Sequence, residues 1–347
     1  MVTIIDVANR AGVSRSTVSL VINKSPLVKK ETRILVEKII DEMGYVPNNN
    51  ARSLSSSTTN NLGIIYMQDN QGFSTQASYD YNQSTGLYSM NIVNGIMIGL
   101  SETNYGIVTE RFCSLDPAQD LPLSIKSCRV DGVVIVGSPC SHRLVQNLQK
   151  RKIPFVLAGA DYMDDTVDSV YAVPDEGVRL SFLHLLKTGH KKICLLNCPE
   201  TFGSFQKRHD AFFNISKETK TLLMDTWEII SPTNRGDGGY IAFKEYWESG
   251  SRPDSIIAAN GKLAMGTMRY LHESGIKVPR DISIIAYEDS CLCGYAVPSL
   301  TSVNIQKEQI GKLAAKCLVD RITLPHQPPI QIAIPPYLIL RESVMSR

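Results

Sequence analysis

Apolar residues recur every three or four positions through the first 45 residues, which is the spacing of amphipathic helices. The pattern predicts one helix starting after Thr3, a second from Arg15 to about residue 23, and a third from about Lys30 to Met43. The positions expected to face a shared core are Ile4, Val7, Ala8, Ala11, Val18, Val21, Ile22, Leu35, Val36, Ile39, Ile40 and Met43. So small a core is marginal alone, which suits a module that gains order on a partner.

Polar residues and glycine mark where the first two of these helices begin and end. Thr3 followed by Asp6 is a capping-box-like start, Gly12 supplies a turn, and Ser14 can cap the second helix. The side chains left pointing outward at the start of the second helix are Arg15, Ser16, Ser19 and Leu20. Two short helices joined by such a turn are typical of a helix-turn-helix.

From Leu62 the pattern changes to short apolar runs that alternate with longer amphipathic segments. Apolar runs of this kind predict buried parallel strands covered by helices on both faces, and two successive sets predict two lobes. The polar segment 73–86 is predicted to lengthen the loop after the first strand. The predicted strands are 62–66, 106–112, 131–137, 153–159, 169–173, 191–197, 227–231, 255–260 and 281–287.

Charge is distributed unevenly along a chain whose net charge is only +2. Residues 1–61 carry eight Lys/Arg and five Asp/Glu, a net +3, which leaves 28 basic and 29 acidic residues in the remainder. A basic head on a near-neutral body favours a polyanionic partner. The composition, 43% hydrophobic and 20% charged, is that of a soluble globular protein, and we expect a cytoplasmic one because no secretion signal or membrane span is evident.

The eight cysteines are scattered, apart from Cys291 and Cys293, and show no zinc-like pairing. We expect reduced, buried or semi-buried thiols, with a redox or metal role for that pair as the alternative. The sequence contains no phosphate loop, no GxGxxG after a strand, no GxSxG and no metal-ligand cluster. We therefore expect neither an enzyme nor a bound cofactor.

The head carries a long, gap-free pattern, Thr3-Ile4-x-Asp6-Val7-Ala8-x-x-Ala11-Gly12-Val13-Ser14-x-x-Thr17-Val18-Ser19-x-x-x-Asn23. It resembles the DNA-binding head of the lactose/galactose repressor (LacI/GalR) family. The match continues through Thr32-Arg33, Gly44-Tyr45-x-Pro47-Asn48 and Ala51-Arg52-x-Leu54.

The resemblance implies that the second helix lies in the major groove of DNA, where Arg15, Ser16 and Leu20 read base edges. Arg15 can contact guanine with two hydrogen bonds. Leu20 departs from the family, which often has arginine there, so the operator sequence does not carry over. Candidate contacts to the DNA backbone are Thr3, Ser14, Thr17, Ser19 and Asn23, with local capping or helix hydrogen bonding as the alternative for each.

Residues 48–55 resemble the family's hinge helix, which is too short to be stable alone. The matched hinge residues are Asn48, Ala51, Arg52 and Leu54. Leu54 corresponds to the residue that wedges into the minor groove and bends the DNA, although ordinary linker packing is the alternative. The uncharged polar stretch 55–61 has the composition of a linker.

The body resembles the family's regulatory part, which looks like a periplasmic sugar-binding protein, through phrases such as Gly275-Ile276-x-Val278-Pro279-x-Asp281-Ile282-Ser283. The expected fold is thus an all-α helix-turn-helix head plus an α/β two-lobed, periplasmic-binding-protein-like body with parallel doubly wound sheets. The expected domains are a head over 1–46, a hinge helix and linker over 47–61, and a body over 62–340. The resemblance places the N-lobe at about 62–158 plus 288–319 and the C-lobe at about 159–287 plus 320–340.

The resemblance also indicates where an effector would bind, and there the chain departs from the family. Asn260-Gly261-Lys262 replaces the usual Asn-Asp, and Glu288 stands where the family has aspartate. The expected effector-binding residues are Tyr88, Arg208, Asn260, Lys262 and Glu288. Fewer carboxylates and an added Lys262 favour an anionic group on the ligand, unless Lys262 is a solvated helix residue.

These features predict a sequence-specific transcription regulator that binds double-stranded DNA at a palindromic operator as a homodimer, under control of a small-molecule effector, either a sugar or an anionic metabolite. Some members of the family add a four-stranded coiled coil at the C-terminus. The tail after Leu340 has no leucine heptads, so we expect a dimer without that coil. Repression is the default in the family. An activator or dual regulator controlled by a partner protein is the alternative, and a pure solute-binding protein is disfavoured by the head.

Overall fold

The computed structural model describes residues 2–22, 24–45, 58–67, 75–113, 116, 118–137, 140–159, 164–199, 203–223 and 225–347, with the side chains of 75–87 and 203 outside that description. The chain divides into two compact units, Met1–Thr59 and Asn60–Arg347. The predicted hinge residues Asn48, Ala51, Arg52 and Leu54, and also Asn23, lie outside the described residues.

Three helices form the described part of the head, namely α1 (Ile4–Ala11), α2 (Arg15–Ile22) and α3 (Lys30–Met43). The capping box is present: the Asp6 amide donates to Thr3 Oγ1 at 3.3 Å, and the Thr3 amide donates to Asp6 Oδ2 at 2.8 Å. Gly12 ends α1 in the left-handed region at φ 65°, a conformation that glycine adopts at little cost. The three predicted helices are thus confirmed.

The core of the head is as small as its length implies. Its buried members are Val7, Ala8, Val18, Val21, Val36, Ile39 and Tyr45. The prediction that Leu35 is buried is wrong, because its side chain is 45% exposed. A helix of this length turns only a narrow stripe inward, and Val36 and Ile39 already fill the space against α1 and α2.

The body contains two six-stranded sheets, each defining one lobe, and they confirm the predicted fold class. The strands of the N-lobe sheet are β1 (Asn61–Met67), β2 (Gly106–Phe112), β3 (Gly132–Val136), β4 (Phe155–Ala158), β5 (Ser169–Ala172) and β11 (Gln331–Ile334). Those of the C-lobe sheet are β6 (Lys192–Asn197), β7 (Asp225–Ile230), β8 (Ser255–Ala258), β9 (Ser283–Tyr287), β10 (Thr301–Asn304) and β12 (Tyr337–Ile339). The strand orders are β11-β5-β4-β3-β1-β2 and β12-β10-β9-β8-β6-β7, and all pairs are parallel except β10 with β12.

Helices cover both sheets. In chain order they are α4 (Thr75–Leu100), α5 (Leu123–Lys126), α6 (His142–Lys150), α7 (Pro174–Lys187), α8 (Gly203–Glu218), α9 (Gly236–Glu248), α10 (Gly261–Glu273), α11 (Cys291–Tyr295) and α12 (Lys307–Thr323), with a short 3-10 helix at Lys220–Leu222. Helix α4 begins inside the segment 73–86, which was predicted as a loop. The prediction missed the start of the helix because this polar stretch has no periodic apolar residues. No helix within the described ranges is both long and apolar enough to cross a membrane.

Strand pairing moves the lobe boundaries away from the predicted crossings near residues 159, 288 and 320. Strand β5 pairs with β4, so the chain first leaves the N-lobe after Ala172. Strand β10 pairs with β9, so the chain returns only between residues 304 and 307, and the last crossing lies between β11 and β12. Apolar runs locate strands, but they carry no information about which distant strand each one joins.

Helix α12 packs closely against α4 in the N-lobe because glycines line the contact. A Cβ on Gly311 would lie 1.9 Å from the backbone oxygen of Ile92, and one on Gly95 would lie 2.0 Å from that of Glu308. The two helix backbones therefore approach to a separation that a side chain would prevent.

We expect Gly311→Ala to lower the free energy of unfolding by about 1–3 kcal/mol, because the methyl group would push backbone against backbone. Gly294→Ala is the matched control, since Gly294 also lies in a helix but a Cβ added to it would meet no neighbour within 4 Å. Urea unfolding of the two variants measures the difference. Equal stability would contradict the close approach of α4 and α12.

Candidate nucleic-acid interface and effector cleft

The predicted base-reading residues lie together on the outer face of α2. Arg15 and Ser16 are exposed, and Leu20, one turn later, is 37% exposed. The opposite face of α2 is fixed because Val18 and Val21 are buried against α1 and α3. The core thus holds three side chains of different chemistry outward on one short helix.

The hydroxyl groups predicted to contact the DNA backbone already have local partners. Ser14 Oγ accepts a hydrogen bond from the Thr17 amide at 3.1 Å and lies 2.7 Å from Ser16 Oγ and 2.9 Å from Thr17 Oγ1. Thr3 Oγ1 donates to Asp6 Oδ2 at 2.7 Å, and the bonds from Thr3 hold the pKa of Asp6 below its ordinary value. Local hydrogen bonds therefore engage all three hydroxyls, with Thr3 and Ser14 acting as helix caps and Thr17 bonded to Ser14, whereas Ser19 is half-buried on α2.

Lysines between α2 and α3 are a feature that the sequence reasoning missed. Lys24, Lys29 and Lys30 are exposed, and Lys29 and Lys30 lie at the N-terminal end of α3. Cations there oppose the helix dipole, so an anion nearby would relieve an unfavourable arrangement. Their position beside the predicted reading helix was the signal that could have identified them.

In the body, the structure brings together three of the predicted effector residues at the carboxyl end of the C-lobe sheet. Asn260 follows β8, Glu288 follows β9, and Arg208 reaches them from α8. Arg208 Nη1 donates to the backbone oxygen of Ala259 at 2.9 Å, and Arg208 Nη2 lies 3.9 Å from Glu288 Oε1. Arg208 is only 6% exposed, and its Nε has no hydrogen-bond partner among the described residues.

Aromatic rings hold the Arg208 guanidinium in place. Its carbon lies 4.1 Å from the ring centroid of Tyr287 and 5.1 Å from that of Phe205, both within cation–π range. Burial raises the pKa of Tyr287 to about 12, and the Tyr287 hydroxyl donates to the Pro174 oxygen at 2.9 Å. Sequence reasoning missed Tyr287 because a strand pattern does not show which distant residue it meets, whereas Phe205, three residues before Arg208 on α8, had a signal in its helical spacing.

Asn260 has a structural duty in this arrangement. Its Oδ1 accepts from the Leu263 amide at 2.8 Å, which caps α10, and its Nδ2 donates to the Asn234 oxygen at 3.1 Å. Both ends of the amide are therefore engaged by the protein itself. Any contribution of Asn260 to a ligand would come mainly through the position of α10.

The two remaining predicted effector residues, Lys262 and Tyr88, lie on different helices. Lys262, the second residue of α10, is half-buried. Burial raises the pKa of the Cys198 thiol to about 12, and the positive charges of Arg208 and Lys262 act in the opposite direction, so both cations lie near that thiol. Tyr88 lies on α4, donates its hydroxyl to the Gly159 oxygen at 3.0 Å, and packs against buried residues of both lobes. Two cations, Arg208 and Lys262, thus lie in the same neighbourhood as the carboxylate of Glu288.

The expectation that the thiols are buried or semi-buried is wrong for two cysteines, since Cys128 and Cys291 are exposed, whereas Cys293 is buried. Within the ranges given above, no three His, Cys, Asp or Glu side chains are grouped so that they could hold a metal ion.

Both units of the chain are similar to known protein domains. The model for bacterial regulatory proteins of the lacI family matches residues 3–48, and that for a periplasmic binding protein-like domain matches residues 182–344. The transcriptional repressor PurR of Vibrio atlanticus is 30% identical over 324 residues, which cover 93% of this chain and 92% of that protein. The transcriptional regulator CelR of Thermobifida fusca is 29% identical over 97% of this chain and 96% of CelR.

Solved structures show the same architecture. The Lac repressor bound to ONPG in the repressed state aligns with a TM-score of 0.81 at 23% identity over 99% of both chains, a likeness that concerns the fold. The CelR–cellobiose complex aligns with a TM-score of 0.70 at 26% identity over 99% of this chain and 100% of that one.

A helix-turn-helix head joined to a two-lobed binding body defines a DNA-binding transcription regulator rather than an enzyme. The chain belongs to the LacI family, which confirms the resemblance seen in the sequence.

We expect Asn260→Ala to lower the free energy of unfolding of the body by about 1 kcal/mol, because α10 would lose its N-cap. Asn260→Ser should lose less, since a serine oxygen can still accept at the start of a helix. Urea unfolding monitored in the full chain compares the two. Equal losses would show that capping is not the main duty of Asn260.

Proposed function

We propose that this LacI-family regulator represses transcription by binding a palindromic operator as a homodimer, with a small-molecule effector controlling the affinity. In this proposal the head (1–46) reads DNA, the segment 47–61 forms the hinge, and the body (62–340) binds the effector. The observation that carries the proposal is the exposed face of α2, with Arg15, Ser16 and Leu20 outward over buried Val18 and Val21. Repression is supported by the likeness to PurR, which is a repressor.

In each half-site, Arg15 contacts guanine and Ser16 and Leu20 set the neighbouring preferences. Contacts to phosphates come from Thr3, Ser14, Thr17, Ser19 and Asn23, and the exposed lysines 24, 29 and 30 add charge. Since Thr3 and Ser14 cap their helices and Thr17 is hydrogen-bonded to Ser14, their contribution is to present backbone amides of the helix starts to phosphates.

Exposed apolar side chains on the body support association of two copies. Met90 and Met97 stand out from α4, and Leu292, Tyr295 and Val297 are exposed on and beside α11. Apolar groups of this size are usually covered by a partner. Two copies are also what the paired hinges and the palindromic site require.

The effector occupies the cleft at the carboxyl ends of the strands, with Arg208, Lys262 and Glu288 as its polar contacts, Asn260 positioning α10, and Tyr88 on the N-lobe side. A sugar is supported by the CelR–cellobiose structure, and an anionic metabolite by the two cations Arg208 and Lys262 near one another in the cleft. Binding between the lobes changes their relative angle, which decides whether the hinges can pair on DNA.

We expect Leu54→Ala to weaken operator binding at least ~tenfold and to reduce DNA bending, because the wedge that opens the central base step is lost. Fluorescence anisotropy gives the affinity, and energy transfer between the ends of a labelled duplex gives the bend. Leu222→Ala, which removes an exposed leucine from the body, is the matched control. Unchanged bending in Leu54→Ala, or a lowered unfolding temperature of the body, would contradict the division between head, hinge and body.

A further inference from the structure

A second cavity lies beside the chain crossings, and we call it the crossing cavity. It has a volume of about 380 Å³, and none of the five predicted effector residues is among its described lining residues. Asn91 on α4 lines it from the N-lobe, and Asp289, just after β9, from the C-lobe. Asn304, Lys307 and Tyr337 line it from the second and third crossings.

The wall of this cavity contains a buried cation. Lys307 is only 8% exposed, and its Nζ donates to the backbone oxygen of Asp289. An ammonium group has three donors, so two remain for another acceptor. No carboxylate among the described residues lies within ion-pair distance of Lys307 Nζ, and a buried charge without a counter-ion is costly.

The neighbouring carboxylates are already neutralised. Asp289 Oδ1 accepts from Arg341 Nη1 at 2.8 Å, and Glu308 Oε1 lies 2.6 Å from Lys312 Nζ. Lys307 is therefore the ionisable lining residue whose charge has no opposite partner in the described part of the wall.

We propose that the crossing cavity binds a small anionic metabolite, whose phosphate or carboxylate group accepts hydrogen bonds from Lys307 Nζ. Charge-assisted hydrogen bonds of this kind are strong when the donor is shielded from water. Side-chain amides of Asn91, Asn304 and Gln309 and the hydroxyl of Tyr337 supply neutral polar contacts for the rest of the ligand. The volume accommodates a metabolite rather than a single ion.

Occupancy of this cavity connects the two lobes at the point where they turn. The ligand touches α4 and α12 of the N-lobe and the connection after β9 of the C-lobe, so its affinity depends on the angle between them. The anion is then a second input, separate from the effector cleft. This regulatory consequence rests on the proposed function, whereas binding of the anion does not.

Calorimetric titration of the full chain with inorganic phosphate and, separately, with succinate tests the proposal and distinguishes the two acid groups. We expect binding by at least one anion, weakened ~tenfold or more in Lys307→Met through loss of a charged hydrogen bond and largely retained in Lys307→Arg. Lys316→Met is the control, because Lys316 is an exposed lysine on the same helix and does not line the cavity.

A second matched pair keeps the test independent of any folding defect in the Lys307 variants. Asn91→Asp places a negative charge in the wall and should weaken binding several-fold, while Asn94→Asp, on an exposed position of the same helix, should not. Absence of binding by both anions at tens of millimolar would overturn the proposal. So would equal affinities in Lys307→Met, Asn91→Asp and the unchanged protein, since the anion would then bind elsewhere. Operator affinity measured without added anion tests the proposed function separately.

Discussion

The two lobes of the body are joined by three short crossings, and this constraint governs what any ligand between them can do. The crossings are tied to one another and to the sheets by hydrogen bonds: Tyr287 Oη donates to the Pro174 oxygen at 2.9 Å, and Gln306 Nε2 to the Pro335 oxygen at 2.7 Å. Relative movement of the lobes is therefore a rotation about a narrow region rather than a general deformation. Helix α12 begins at this region and packs backbone to backbone on α4. A rotation at the crossings would therefore move these two helices together.

The head obeys a different constraint, since it must present a reading surface with very little core. Val18 and Val21 anchor α2, and local caps at Thr3 and Ser14 add stability that requires no long-range contact. Lysines at the start of α3 are unfavourable in isolation because they oppose the helix dipole. A phosphate bound beside these lysines would offset that cost, which suits a small head that gains order on a partner.

Features that depend on a few neighbouring residues could be predicted from the sequence. The capping box of Thr3 and Asp6 and the apolar strands of the sheets are of this kind, because their signals are local. The lobe boundaries could not, since they depend on pairing such as β4 with β5 and β9 with β10. Leu35 was misplaced because periodicity does not tell how wide a stripe the core can cover.

The effector cleft shows the same limit. The family resemblance identified Arg208, Asn260 and Glu288, but only the fold shows that Asn260 also donates to the Asn234 oxygen and that the ring of Tyr287 holds Arg208. The burial of Lys307 beside the crossings likewise has no sequence signal, because a lysine in an amphipathic helix ordinarily faces water. Chemistry at such positions is set by neighbours far apart in the chain.

The central claim, that the outer face of α2 reads a symmetric DNA site, is tested most directly by selecting bound duplexes from a random pool with the full chain. The account predicts enrichment of two inverted half-sites. It also predicts that Arg15→Ala relaxes the preference at one guanine in each half-site, at a cost of about 1–3 kcal/mol per contact. Enrichment of no symmetric sequence, or an unchanged preference in Arg15→Ala, would contradict it.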